Sequence, residues 1–309
     1  MTAYLLRRVG QAIVVVFGVS VVVFVLIHLL PNFPRGAFGP RATPEQIDQQ
    51  IRLWGFNRPL WSQYLSYAGQ LVHGNLGYSA LYNLPVRSVL ANTLPRSAFL
   101  LGVSTAIALV VAVPLGIFQA VRRNKVEDYV LTGTTFVFYS MPSFWLGLLL
   151  IAFFADYLKL FPAEGPQSGV WSPPTAVVLP IATLALISIA QFSRYMRSSA
   201  LDSLTQDYIR TARAKGLSSR AVLSRHVVRN SLIPIATLVG LSLPVIFGGA
   251  LITESVFNYP GVGWTFFNSA VQQDFPTLMG IALVGGIATV IGSLLADVLY
   301  AVLDPRVRY

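Results

Sequence analysis

The stretch that decides the fold is Asp207 to Pro234, DYIRTARAKGLSSRAVLSRHVVRNSLIP. It is the longest polar, basic run lying between apolar stretches. From Arg194 to Arg229 there are eight Arg or Lys and two acids, Asp202 and Asp207, so a membrane protein keeps this segment inside, where short basic loops stay. Two short helix-prone pieces flank Gly216. The first opens on Asp207 and closes on Arg213 and Lys215, the order that suits a helix dipole. The second starts at Ser218, a good N-cap, and sets Arg225 and Arg229 four residues apart on one face. Gly216 is where the backbone reverses without steric penalty. The segment reads as a helix–Gly–helix knob shaped to fit a cavity on a soluble partner. The plainer alternative is a solvated basic loop that touches only lipid headgroups.

Working outward, 54% of the 309 residues are hydrophobic and 11% are charged, against roughly 25% charged in soluble domains, which makes this a membrane protein. The net charge of +10 points to anionic headgroups and topology rather than nucleic acid. There is no cysteine, so disulfides, thiolate metal sites and Cys nucleophiles are excluded together. Three scattered histidines, His28, His73 and His226, speak against a His-rich metal site.

Six apolar stretches are expected to span the membrane, at about 9–30, 97–120, 129–158, 175–192, 232–253 and 277–303. The first follows Arg7 and Arg8 and, at about 1.5 Å per residue, reaches about 33 Å, enough for the hydrocarbon core. It reads as an uncleaved span rather than a signal peptide. The polar segment 31–96 is expected outside, with Trp54, Trp61, Tyr64 and Tyr67 on surface helix resting at headgroup level. Glu127 and Asp128 read as charge partners in a short inner turn. The third span is interrupted by Ser140-Met141-Pro142-Ser143, which makes it either a pathway lining or a packing kink. The fourth is expected to bend at Pro180 and to lead into the basic segment 194–231. Inner segments hold 15 of the 22 basic residues, which places both termini inside. Asp297 reads as a gate or as an acid tied to a base such as Arg306. Glu254 reads as an interfacial acid of an outer vestibule.

No catalytic assembly emerges. None of the three lysines follows a glycine, so no phosphate loop is present, and neither HExxH nor Gly-x-Ser-x-Gly occurs. The chain is not expected to be an enzyme, and power must come from elsewhere.

These residues resemble a family. The basic run is similar to the cytoplasmic coupling loop of the membrane subunits of ATP-binding-cassette importers. It follows the dipeptide and oligopeptide branch, whose version runs Asp-Tyr-x-x-Thr-Ala-Arg-Ala-Lys-Gly and ends His-x-x-x-Asn-x-Leu-x-Pro. Here those are Asp207, Tyr208, Thr211, Ala212, Arg213, Ala214, Lys215, Gly216, His226, Asn230, Leu232 and Pro234. The Glu of the general signature is replaced by Arg210. The likeness continues in Gly55-Phe56-Asn57-Arg58-Pro59-Leu60, Gly74-Asn75-Leu76-Gly77, Pro260-Gly261-Val262-Gly263, Asp274-Phe275-Pro276 and Asp304-Pro305-Arg306, and so covers the whole chain. Where relatives read Pro-Gly-Asp-Pro after the first span, this chain has Pro31-Asn32-Phe33-Pro34.

The resemblance implies an all-α, six-span, type I importer permease, with an extracytoplasmic segment between the first two helices, in the cell membrane. It implies a pair of such subunits, this chain with a paralogue. Two ATPase subunits or domains that carry ATP and Mg, and an extracytoplasmic solute-binding protein, complete the machine. No cofactor is expected on the chain itself. The coupling role falls on Asp207, Tyr208, Thr211, Ala212, Arg213, Ala214, Lys215, Gly216 and Leu217, supported by His226, Arg229, Asn230 and Pro234. Candidate pathway or gate residues are Tyr139, Met141, Pro142, Phe144, Pro244, Phe247, Glu254 and Asp297. The competing readings are a secondary transporter driven by an ion gradient and an intramembrane enzyme.

Overall fold

The computed structural model describes residues 2–29, 43–53, 55–248 and 250–303, and the fold is almost wholly helical. By internal packing the chain divides into two compact units, Met1–Ala98 with Pro244–Ile291, and Phe99–Leu243 with Gly292–Tyr309.

In the first unit, α1 (Thr2–His28) is followed by α2 (Pro44–Leu53), α3 (Leu60–Val72) and a two-stranded antiparallel hairpin, β1 (Tyr78–Ser79) with β2 (Leu84–Pro85). Helix α4 (Val86–Val121) then begins eleven residues before the apolar boundary expected at 97. Its first turns carry Val86, Val89 and Leu90 at helical spacing, and all three are buried. Arg87 and Arg96 masked that continuity in the sequence. Val86 and Leu90 pack with Val262 of α12 (Val262–Val271) and Ile281 of α13 (Phe275–Leu303). Gly280 of α13 makes this approach possible, because a Cβ there would lie 2.5 Å from the Val86 side chain.

Tyr64 and Tyr67, expected at headgroup level, also have a protein partner. Both rings of α3 face α1, with Phe24 at 5.4 and 6.0 Å, and the Tyr64 hydroxyl lies 2.9 Å from Ser20 Oγ. Trp61 is 69% exposed, and Trp54 lies outside the described residues. His28 is held by Gln63 at 3.0 Å and by the Phe24 carbonyl.

In the second unit, α5 (Val126–Ser140) and α6 (Ser143–Leu150) meet at Met141-Pro142 at an angle of 103°, and α6 continues into a π-type turn over Ile151–Tyr157. The expected kink is therefore a full break, and one straight third span is not formed. Proline removes the amide that would continue α5, and Met141 takes extended backbone at ψ 130. Helix α7 (Val178–Leu204) runs twelve residues past the expected end of the fourth span. Pro180 falls in its first turn, where a missing amide costs little. Then follow α8 (Asp207–Ala214), α9 (Ser219–Val222), a π-type turn over Leu223–Val227, and α10 (Val228–Gly248); α11 (Leu251–Val256) belongs to the first unit.

Among the described residues, three helices are long and apolar enough to cross a membrane, in Val86–Val121, Pro174–Leu204 and Phe275–Leu294; the bent pair α5–α6 makes a fourth if it counts as one span. Val110 of α4 is 76% exposed, and only 28% of that helix's most apolar window is buried within the chain. A surface so apolar suits lipid or another apolar subunit, not water.

Candidate functional site

Helix α8 carries alternating fates around its circumference. Ile209 and Ala212 are buried, while Asp207, Arg210, Thr211, Arg213 and Ala214 are exposed. The apolar pair packs with Val222 of α9, Val227, Ala200 of α7 and Ala120 at the end of α4, joined by Leu201, Leu204, Leu217 and Leu223. One apolar stripe thus seats the knob on the ends of two long helices.

Its turn is built by a recognisable termination. The Leu217 amide donates to the Ala212 carbonyl at 3.3 Å, and the Gly216 amide to the Arg213 carbonyl at 2.9 Å. This nested pair requires a left-handed residue between, and Gly216 has φ +81. Nothing lies within 4 Å of a Cβ built on it, so the demand for glycine comes from backbone strain alone. Leu217 then folds back onto the apolar stripe. Ser218 caps α9 as expected, accepting from the Ala221 amide at 3.4 Å. The π-type turn that follows alters the regular spacing assumed for Arg225 and Arg229, although both are exposed.

The outward face carries Arg210, Arg213 and Lys215. The Asp207–Arg210 contact, at 3.4 Å, joins side chains 95% and 79% exposed, and such a pair adds little to stability. The His226 ring lies 6.5 Å from that of Tyr208, which links α8 to the start of the next long helix. Arg229, Asn230 and Pro234 are exposed on that helix, and buried Ser231 meets Ser203 of α7 at 3.1 Å.

Of the pathway candidates, Tyr139, Met141, Pro142 and Phe144 gather at the break between α5 and α6; Tyr139 and Phe144 are each 47% exposed. The Arg194 guanidinium sits 4.7 Å from the Tyr139 ring centre, a cation–π contact that sequence spacing did not signal. The side chains of Pro244, Phe247 and Asp297 lie outside the described residues, as does Arg306.

Glu254 is fully buried, which corrects its reading as a vestibule acid. Its carboxyl accepts from Ser97 Oγ at 2.6 Å, the Ala250 amide at 3.1 Å and the Trp264 amide at 3.1 Å. It closes the turn between α11 and α12, and Gly261 leaves it room, since a Cβ there would come within 2.5 Å of the carboxyl oxygen. Burial, then the nearby Glu254, pushes the Tyr259 phenol well above its usual range, so it remains a donor, to the Arg96 carbonyl at 2.9 Å.

Asp128 is a charge partner as read, but of a helix distant in sequence rather than of the bases in its own turn: it is 2% exposed and gripped by Arg197 through two bonds, Nε to Oδ1 at 2.8 Å and Nη2 to Oδ2 at 2.7 Å. Glu127 pairs within the turn, in an exposed 3.5 Å contact with Arg122.

Comparison with known proteins fits this arrangement. Residues 112–309 match the family described as binding-protein-dependent transport system inner membrane component, and residues 1–98 match its N-terminal counterpart. The chain belongs to this family. Within it, the oligopeptide transport system permease protein AppB of Bacillus subtilis is 36% identical over all of both chains. The dipeptide transport system permease protein DppB of Escherichia coli is 33% identical over 100% of this chain and 99% of that one. Among solved structures, a chain of the MetNI methionine ABC transporter superposes with TM-score 0.53 at 14% identity, covering 71% of this chain and 97% of its own. A chain of an amino acid ABC transporter gives 0.51 at 17%, covering 69% and 94%. The fold is thus that of ABC importer membrane subunits, and the family is one of membrane-spanning transport components rather than ion-driven carriers.

Proposed function

We infer that this chain is the membrane subunit of an ATP-driven importer of peptides, docked to its ATPases through α8, Gly216 and α9. The observation that carries this is the division of α8 into a seated apolar stripe and an open basic face. A loop that served only lipid headgroups would need the basic face and not the rigid seat. The names of the relatives support dipeptides or oligopeptides as cargo. Six spans with both ends inside, segment 31–96 outside, a paralogous partner, two ATPases holding ATP and Mg, and a solute-binding protein complete the reading.

The mechanism follows from connectivity. Helix α7 enters the knob directly and α10 leaves it directly, so displacement of the knob by closing ATPases tilts both helices as levers. Such work requires a contact that differs in energy between the two states, which the exposed residues Arg210, Arg213 and Lys215 offer. The test is to purify the chain with its ATPases and binding protein and to measure peptide uptake in proteoliposomes. Uptake that needs ATP inside and ignores imposed ion gradients is the expected result. Gradient-driven uptake by the chain without ATPases would overturn it.

A further inference from the structure

We propose that Asp128 and Arg197 form a positioning clamp that carries movement of the knob into the broken segment α5–α6; this rests on the importer reading above. Helix α7 holds the knob at its far end through Ala200, Leu201 and Leu204. One to two turns before that, it grips α5 twice. Arg197 takes Asp128 in the first turn of α5, and Arg194 covers Tyr139 in its last, immediately before the break. The two arginines, one helical turn apart, therefore strap both ends of a single helix.

The clamp is built rather than incidental. Asp128 accepts two further bonds, from the Asn124 amide at 3.2 Å and from Thr132 Oγ1 at 3.3 Å. Asn124 sits at φ +63, a left-handed position that asparagine tolerates, and its amide is thereby aimed at the carboxylate. Thr132 in turn receives Gln119 Nε2 of α4 at 3.3 Å, and Gln119 is 1% exposed. Helix α4 also lies directly against α7 at Gly116, where a Cβ would fall 2.7 Å from the Met196 side chain and from the Ser193 carbonyl. The knob's seat, Ala120, is one turn further along α4. The end of α4, the start of α5 and the lower half of α7 thus form one block with the knob fixed to it.

A buried pair costs desolvation, and apolar residues would hold the helices together as well. What the ion pair adds is a fixed register between α7 and α5. Motion of the knob then reaches Tyr139, Met141 and Pro142 without slip.

The test uses the whole complex, with its ATPases and binding protein, in proteoliposomes, scoring peptide taken up per ATP hydrolysed. Asp128→Asn and Arg197→Gln are expected to hydrolyse ATP while that ratio falls about tenfold. Asp128→Glu should keep most of it. The exchange Asp128→Arg with Arg197→Asp should recover part of what either single change loses. Unchanged ratios in both single variants would overturn the proposal. So would single variants that lose uptake and hydrolysis together with no recovery in the exchange, since that is a folding role only. Wild-type complex without ATP-driven uptake would remove the importer reading and this one with it, whereas failure of the clamp alone leaves the wild type active.

Discussion

Glu254 and Asp128 are both cut off from solvent, yet they are held by opposite means. Glu254 is met by neutral groups alone, the hydroxyl of Ser97 on α4 and backbone amides of its own turn. Asp128 is met by a guanidinium from a helix 69 residues away. A carboxyl fed by amides fixes one local shape, because amides cannot leave without unfolding the turn. A carboxyl fed by a distant arginine fixes the relation between two helices and is only as permanent as that relation. The first solution suits a structural staple, the second a moving joint.

Removing the cation should show the largest difference. Arg197→Ala leaves Asp128 without a counter-ion, met only by the Asn124 amide and the Thr132 hydroxyl, and is expected to cost about 3–5 kcal/mol of stability, read as a fall in the melting temperature of the purified complex. Replacing both partners by Leu and Met should return most of that loss; if it does not, the pair contributes more than mutual neutralisation. Next, Gly116→Val pushes a branched side chain onto the α7 backbone beside the clamp, an overpacking cost of about 1–3 kcal/mol by the same melt. Glu254→Gln keeps the shape but turns one acceptor into a donor facing an amide or a hydroxyl, for about 1–3 kcal/mol. Uptake per ATP should hold in that variant and fall in Asp128→Asn, which separates staple from joint. Gly216→Val is expected to cost about 1–2 kcal/mol through left-handed strain, and Gly216→Asn much less. Smallest of all, Asp207→Asn should change stability by under about 0.5 kcal/mol, because its contact is solvated.

Much of the site could be read along the chain because its signals are local. Gly216 between two short amphipathic pieces, and Ser218 at the second start, specify the turn within a dozen residues. The break at Met141-Pro142 was also announced by its proline, although no sequence rule gives an angle of 103°. What stayed hidden depends on partners distant in sequence. Asp128 looks like Glu127 until Arg197 is placed beside it. Val86, Val89 and Leu90 look like the end of a polar segment until Val262 and Ile281 cover them. No pattern in the sequence pairs Tyr64 with Phe24 and Ser20 of α1. Helix ends misled for a related reason. Hydropathy marks where lipid stops, whereas α4 and α7 continue as helix into regions packed by protein.

The central claim is that the exposed face of α8 meets the ATPases. The chain has no cysteine, so Ala214→Cys supplies one thiol on that face. Crosslinking of this variant in the assembled complex with a short thiol-to-amine reagent should give an adduct with an ATPase subunit, at a yield that changes when ATP is bound. An adduct to lipid or binding protein alone, with the ATPases captured only from sites elsewhere on the chain, would contradict the account.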